Sequence, residues 1–294
     1  MKVLVFGSLN IDLVFSVDHI VLPGETISSS ALERNAGGKG ANQASALAKA
    51  GMEVYMAGKI GRDGAFLLDL LQSYGVDTRR VVSYEGATGQ ALIQLDKKSQ
   101  NSIVLYSGGN HRITPEEADG TLGAFGEGDM VLLQNEILMT GEIIKKAKAR
   151  GLAVCLNPSP YDERIEALPL DLVDIFFVNE IEGAALAGLP GDAPFAKMVD
   201  TLAERFPAGE IVLTAGKAGA YYGFGKERAR GEIIDLPVAD TTAAGDTFTG
   251  YFLAARARGM NAPAALEAAC KAASIAVSRK GAMASIPFAK EVFS

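Results

Sequence analysis

An α/β fold built on a mostly parallel sheet flanked by helices is the architecture this sequence predicts, and three observations carry that expectation. Short apolar runs alternate with helical stretches along most of the 294 residues. Several helical stretches stop at a glycine, at Gly51, Gly75 and Gly151. Polar and glycine-rich clusters follow several of the apolar runs, where a parallel sheet of this kind places its ligands.

Taken in order, Val3–Phe6, Glu53–Ala57, Met130–Leu133, Ala153–Leu156, Ile175–Val178 and Glu210–Thr214 are short and apolar, as strands covered on both faces should be. Between them, Ala41–Ala50, Ala65–Tyr74, Gly141–Ala149 and Phe195–Arg205 read as helices. Ile233–Val238 reads as a further strand. Two segments break the alternation. Residues 13–34 and 86–107 contain alternating strand patterns, the turn material Pro23-Gly24-Glu25 and Lys97-Lys98-Ser99-Gln100-Asn101, and no helix. They predict a small antiparallel sheet inserted into a single domain spanning 1–294, placed as a lid over the strand ends; a surface hairpin without function is the alternative.

Hydrophobic residues make up 48% and charged residues 21% of the chain, a balance that supports a sizeable core and argues against disorder. A net charge of −7 and a pI near 5.1 argue against nucleic acid or an anionic membrane as the main partner. The first apolar run is too short for a signal peptide or a membrane span, so a cytoplasmic location is expected. Cys155 and Cys270 lie in apolar surroundings and read as buried free thiols. His19 and His111 lack partner spacing for metal or nucleophile work and read as surface or lid residues.

The segment Asp240-Thr241-Thr242-Ala243-Ala244-Gly245-Asp246 carries the strongest chemical signal. It opens a helix whose Phe248, Tyr251, Phe252 and Ala255 recur with helical period. Small residues there let the chain turn tightly and present unpaired N–H groups at a helix N-terminus, an anion site strengthened by the helix dipole. Asp246 would stand beside that anion; a simple helix cap is the other reading. A second cluster, Gly37-Gly38-Lys39-Gly40-Ala41-Asn42-Gln43, also opens a helix, with glycines for close backbone approach and Lys39 and Asn42 as donors. It lacks the spacing of a Walker A loop, and taken alone a glycine-rich turn with a solvated lysine is the alternative. Asn10 and Asp12 follow the first strand two residues apart, on one side of an extended segment, which suits the neighbouring hydroxyls of a polyol; a turn is the alternative. Gly7-Ser8-Leu9 lacks the dinucleotide fingerprint. Asn157-Pro158-Ser159-Pro160, Asn179-Glu180-Ile181-Glu182 and Thr214-Ala215-Gly216-Lys217-Ala218-Gly219 each place polar or glycine-rich groups after a strand.

In this combination the chain resembles the ribokinase (PfkB) family of sugar kinases from Gly7 to Pro287, with both signature clusters in order. The runs Pro23-Gly24-Glu25-Thr26, Asn101-Ser102-Ile103 and Leu156-Asn157-Pro158 resemble its ribokinase branch. The resemblance implies a ribokinase-like fold and ATP-dependent phosphorylation of a small sugar, with D-ribose converted to ribose 5-phosphate as the expected reaction. It assigns Asp246 as the catalytic base and the backbone of Ala243, Ala244, Gly245 and Asp246 as the anion hole. Asn10, Asp12, Gly38, Lys39, Asn42 and Glu136 fall where the family binds sugar, and Asn179, Thr214, Gly216 and Glu182 where it handles nucleotide and magnesium, with Gly219 among the nucleotide positions. Asp240, Thr242 and Ser285, with the loop from Gly281, correspond to a monovalent cation site for K⁺. The family usually has glycine where this chain has Ala243. If the position is left-handed, alanine is strained there by roughly 1–2 kcal/mol; if it is helical, one methyl is harmless. Another small sugar or a nucleoside as substrate, or a sugar-binding regulator with weak turnover, are the alternatives. No arginine cluster accompanies the site, which disfavours a phosphorylated substrate. Exposed edges of the small sheet are compatible with a homodimer.

Overall fold

The computed structural model describes residues 1–98 and 100–293; Ser99 of the expected turn at 97–101 lies outside the described residues. The chain runs β1 (Lys2–Phe6), β2 (Asn10–Ser16), β3 (Ala31–Gly37), α1 (Lys39–Lys49), β4 (Glu53–Gly61), α2 (Ala65–Ser73), β5 (Asp77–Tyr84), β6 (Gly89–Leu95), β7 (Asn101–Tyr106) and α3 (Pro115–Leu122). It continues β8 (Met130–Gln134), α4 (Thr140–Ala149), β9 (Ala153–Asn157), β10 (Ile175–Asn179), α5 (Glu180–Ala187), α6 (Phe195–Arg205), β11 (Glu210–Thr214), β12 (Ala220–Phe224), β13 (Glu227–Gly231), α7 (Ala244–Ala257), α8 (Ala262–Val277) and α9 (Ala289–Val292).

The large sheet has the order β13-β12-β11-β10-β9-β8-β1-β4-β5 and is parallel except at β12 and β13. Alternate residues of its strands feed two cores. Val3, Val5, Leu132 and Phe177 pack under α1, α7 and α8, while Leu4, Phe6, Val131, Leu133 and Phe176 pack under α4, α5 and α6. Burial on both faces is why these strands read as unbroken apolar runs. Both cysteines are free and buried, and burial pushes the Cys270 thiol up to about 11. Among the described residues no helix is long and apolar enough to cross a membrane.

The two segments that break the alternation form a second sheet, ordered β3-β2-β6-β7. Its outer pairs, β2–β3 and β6–β7, are antiparallel, and the central pair β2–β6 is parallel. Edge strand β7 leaves Ile103, Val104, Leu105 and Tyr106 exposed.

The expected strand over Ile233–Val238 is not one. That stretch has no ladder partner; Ile234 N–H donates to the Ser274 hydroxyl (3.0 Å) and Ala239 N–H to the Val277 carbonyl (2.8 Å), so it lies along α8 instead of extending the sheet.

One close contact sets the frame of the site. A Cβ on Gly250 of α7 would fall 2.5 Å from the Ala46 Cβ of α1, so the two helices meet there nearly backbone to backbone. One turn up on each helix stand Asn42 and Asp246.

Candidate active site

Helix α7 begins at Ala244 with Ala243 as its N-cap, and Ala243 is the one non-glycine residue with positive φ among the described residues (φ 59°, ψ 15°). The left-handed alternative is therefore the one realised. The turn leaves the N–H groups of Gly245 and Asp246 without an acceptor among the described residues, while Thr247 N–H closes the first helical bond onto the Ala243 carbonyl (2.8 Å). A left-handed alanine costs roughly 1–2 kcal/mol, of which glycine recovers part, since its looser unfolded chain offsets the gain. Ala243→Gly is accordingly expected to stabilise the protein by about 1 kcal/mol, read as a rise of about 2–4 °C in Tm, and to leave kcat within about threefold. An unchanged or lower Tm would show that the turn holds alanine without strain.

Asp246 lies in the first turn of α7, where the dipole favours a carboxylate. Its Oδ2 accepts from Asn42 Nδ2 and its Oδ1 from Gln43 Nε2, each at 2.9 Å. Protein atoms crowd the group although one side faces the cleft. Desolvation raises its pKa against the opposing pull of Lys39 and the two amides.

The cluster around Lys39 is equally specific. Gly38 caps α1 at φ 93°, and a Cβ there would come 2.8 Å from Asn10 N and Ser8 O. Lys39 Nζ stands 3.8 Å from Glu136 Oε1, and the Lys39 backbone N–H donates to Glu136 Oε2 (3.3 Å), which also accepts from the Ser8 hydroxyl. Burial would lower the Lys39 pKa, but Glu136, Asp246, Glu182 and Asp12 around it hold it above its usual value. Asp12 and Asn10 share one side of β2. A Cβ on Gly37, which pairs with Asn10 and so lies diagonal to Asp12 in β3, would collide with the Asp12 carboxylate, so glycine makes the room that Asp12 occupies. Burial, then the Glu136 charge, push Asp12 up to about 6, with Lys39 opposing. Asn10 Oδ1 accepts from Asn110 Nδ2 (2.7 Å), and Asn110 Oδ1 accepts from Leu9 N–H (3.1 Å).

Across the strand ends, Asn179 and Glu182 form a capping box on α5. Asn179 Oδ1 accepts from the N–H groups of Ile181 and Glu182 (2.9 Å each), and Glu182 Oε2 accepts from Asn179 N–H (3.1 Å). Glu182 also faces the cleft, where burial raises its pKa against Ser159, the Asn179 N–H and Lys39. Thr214 pairs with Asn179 across β10 and β11. Gly216 (φ 49°) and Gly219 (φ 87°) shape the turn after β11, and a Cβ on Gly219 would collide with the Gly231 carbonyl. A cleft of about 210 Å³ brings together Lys39, Glu182, Asn179, Thr214, Asp246 and the Ala243–Gly245 turn at the C-terminal ends of the strands. Gly216 and Gly219 stand outside its lining, as do Asn10, Asp12, Gly38, Asn42 and Glu136 next to it and Asp240, Thr242 and Ser285 behind it.

Asp240 closes a loop behind the anion turn. Its Oδ1 accepts from Thr242 N–H (2.9 Å) and the Thr242 hydroxyl (2.6 Å), and its Oδ2 from Gly281 N–H (3.0 Å). Burial would raise its pKa, but these three donors and Lys280 hold it below the usual range. Ser285 is buried and donates to the Ala282 carbonyl (2.8 Å). Outside the cleft, His19 pairs with Glu25 at the surface.

Sequence reasoning left several members of this constellation without a role. Gln43 was visible only as the last letter of a motif, and Gln134, Asn157 and Asn110 are brought in from β8, β9 and the turn after β7. A polar residue ending an apolar strand, as Gln134 and Asn157 do, is the signal that points to them.

The profile of the pfkB family carbohydrate kinases matches residues 1–289. A ribokinase of Staphylococcus aureus (strain COL) is 35% identical over 303 residues, covering 99% of this chain and 98% of its own. Among solved structures, a ribokinase from Cryptococcus neoformans var. grubii serotype A in complex with ADP superposes with a TM-score of 0.88 at 36% identity, covering 99% of this chain and 98% of that one. The Arabidopsis thaliana ribokinase complexed with ribose and ATP superposes at 0.87 with 31% identity, covering 99% and 97%. With the family profile spanning nearly all of the chain, and relatives of this identity and fold matched along almost their whole length, this protein belongs to the pfkB family of carbohydrate kinases.

Proposed function

We propose that this chain phosphorylates D-ribose at its 5-hydroxyl with ATP. The observation that carries the reading is the meeting, in one cleft, of a crowded carboxylate on a helix N-terminus with unpaired N–H groups, a lysine and a second buried carboxylate. The relatives that bind ribose, ADP and ATP share this fold along their whole length. Asp246 accepts the proton as the sugar hydroxyl attacks, and the N–H groups of Gly245 and Asp246 with the α7 dipole stabilise the charge spreading over the transferring phosphoryl oxygens. Asp12, Asn10, Glu136, Asn42 and Lys39 line the sugar side as acceptors and donors; Gly38 brings the backbone close. Thr214, Gly216, Gly219 and Asn179 form the nucleotide side. The four-stranded sheet serves as a lid that excludes water, within a single domain. Its exposed β7 edge is the surface for a homodimer, and the acidic chain with two free thiols suits the cytoplasm.

Four carboxylates around one lysine leave the site short of positive charge, which fits a magnesium ion beside Glu182. Among the described residues no group of three metal-ligating side chains occurs, so such an ion would be held largely by water and phosphate oxygens. When bound, it neutralises charge on the phosphates. A monovalent cation fits the Asp240 loop less freely. Three of roughly four acceptor positions on that carboxylate are taken, leaving one, alongside Thr242, Ser285 and the loop carbonyls. K⁺ is expected to raise kcat over Na⁺ or a bulky organic cation by about tenfold; equal rates in the three salts would remove this site.

The function is tested by ATP consumption against ribose, 2-deoxyribose, fructose, adenosine and ribose 5-phosphate. Ribose is expected to give the highest kcat/KM, because a fully paired polar site strands its own groups when a hydroxyl is missing, at about 1–3 kcal/mol each. A higher value for any other sugar moves the substrate within the family, and no turnover on any of them favours a sugar-binding regulator.

A further inference from the structure

We propose that Gln43 is a positioning residue for Asp246, the middle link of an amide chain whose direction is fixed by a backbone carbonyl. The inference deepens the reading of Asp246 as the base and rests on it.

The direction follows from what each atom is able to do. The Phe177 carbonyl only accepts, so Asn157 turns Nδ2 toward it (2.9 Å) and its Oδ1 the other way. That oxygen accepts from Gln43 Nε2 at 3.1 Å. The same Nε2 donates to Asp246 Oδ1 at 2.9 Å, which leaves Gln43 Oε1 facing β8. There Gln134 supplies Nε2 at 2.6 Å. Rotating the Gln43 amide would set oxygens against Asn157, Asp246 and nitrogen against Gln134 at once. The chain thus allows Gln43 one orientation.

The mismatch in this network lies at its far end. Gln134 Oε1 is buried and has no donor among the described residues, as does Asn42 Oδ1, whereas both carboxylate oxygens of Asp246 are served, Oδ2 by Asn42 and Oδ1 by Gln43. Leaving a buried oxygen unpaired is costly, and here the arrangement that does so is the one that delivers two N–H donors to Asp246. The contact between Ala46 and Gly250 already fixes how α1 and α7 lie together, so the amides are left to fix the carboxylate itself. An N–H₂ group donates and does not accept, so protonating Asp246 on either served oxygen forfeits a hydrogen bond. The charged groups facing Asp246 are Lys39 on α1 and Glu136 beyond β8.

The test measures kcat and the KM for sugar and ATP across pH, with Tm as a control, in Gln43→Met and Gln43→Glu. Gln43→Met keeps length and removes the donors: kcat should fall about tenfold or more, sugar KM should stay within about threefold, and the acid limb of kcat should move up by about one unit. Gln43→Glu still accepts from Gln134 but turns an acceptor toward Asp246, so both the loss and the shift should be larger. If Gln43 variants do not fold, Gln134→Met acts one link further away and should move the acid limb in the same direction by less. A wild-type acid limb in the folded variants overturns the proposal, whether kcat is unchanged or falls only with Tm. Asp246→Asn is measured alongside: turnover retained there sinks the assignment of the base, whereas an inactive Asp246→Asn beside normal Gln43 variants sinks the present inference alone.

Discussion

Asp246→Asn should abolish phosphoryl transfer, with kcat down by about 10³-fold or more and sugar affinity within about tenfold of the parent. A positioned general base contributes about 10²–10⁴ in rate, and the substitution removes the base while keeping its size. The variant has a structural cost that the site predicts. Asn42 and Gln43 both point N–H groups at the carboxylate, and an asparagine offers only one oxygen to receive them. One amide then meets another N–H₂, a clash of about 1–3 kcal/mol that works against the desolvation relieved when the charge goes, so Tm should change little while turnover is lost. Measuring sugar binding by calorimetry beside turnover separates the two. If kcat fell by less than about tenfold, about 1.4 kcal/mol, Asp246 would be a helix cap and the base would have to be sought elsewhere.

How much of this was legible in the sequence depends on which forces were local. The β1, β8, β9, β10 and β11 strands announce themselves because burial on both faces demands unbroken apolar runs. The small sheet is visible because its strands alternate and no helix intervenes, but the parallel β2–β6 pairing is set by segments some eighty residues apart and leaves no local trace. Ile233–Val238 has a strand's composition yet follows β13 at the sheet edge and takes its hydrogen bonds from α8, a tertiary choice that overrides propensity. In the site, Lys39, Asn42 and Asp246 carry motif signals of their own. Gln134 and Asn157 matter only through what the fold brings beside them. The Asn179 and Glu182 pair was legible as a motif, but its capping role shows that spacing alone does not separate a helix start from a metal position.

Asp12→Ala should raise the KM for ribose by roughly 10- to 150-fold, the equivalent of about 1.5–3 kcal/mol for hydrogen bonds to a charged group, and leave the KM for ATP within about twofold. The asymmetry follows from position: Asp12 lies over Gly37 in the small sheet, near Lys39 and Glu136, and takes no part in lining the cleft at Thr214 and Asn179. Its carboxyl is pushed up to about 6 by burial and by the Glu136 charge. Ribose KM should therefore rise as pH falls through about 6, where Asp12 takes up a proton and loses its charged acceptor, and Asp12→Asn should lack that step. The same shift has a stability sign. A carboxyl whose folded pKa lies above its unfolded value opposes folding once it is ionised, so the penalty is absent below the unfolded pKa near 3.8 and complete above about 6. Asp12→Asn should then stabilise the sugar-free protein at pH 7 and not at pH 3.5, by at most about 3 kcal/mol. A variant with normal ribose KM would move the sugar away from the small sheet. A variant that binds ribose poorly without gaining stability would mean that the Asp12 carboxylate is already satisfied before the sugar arrives.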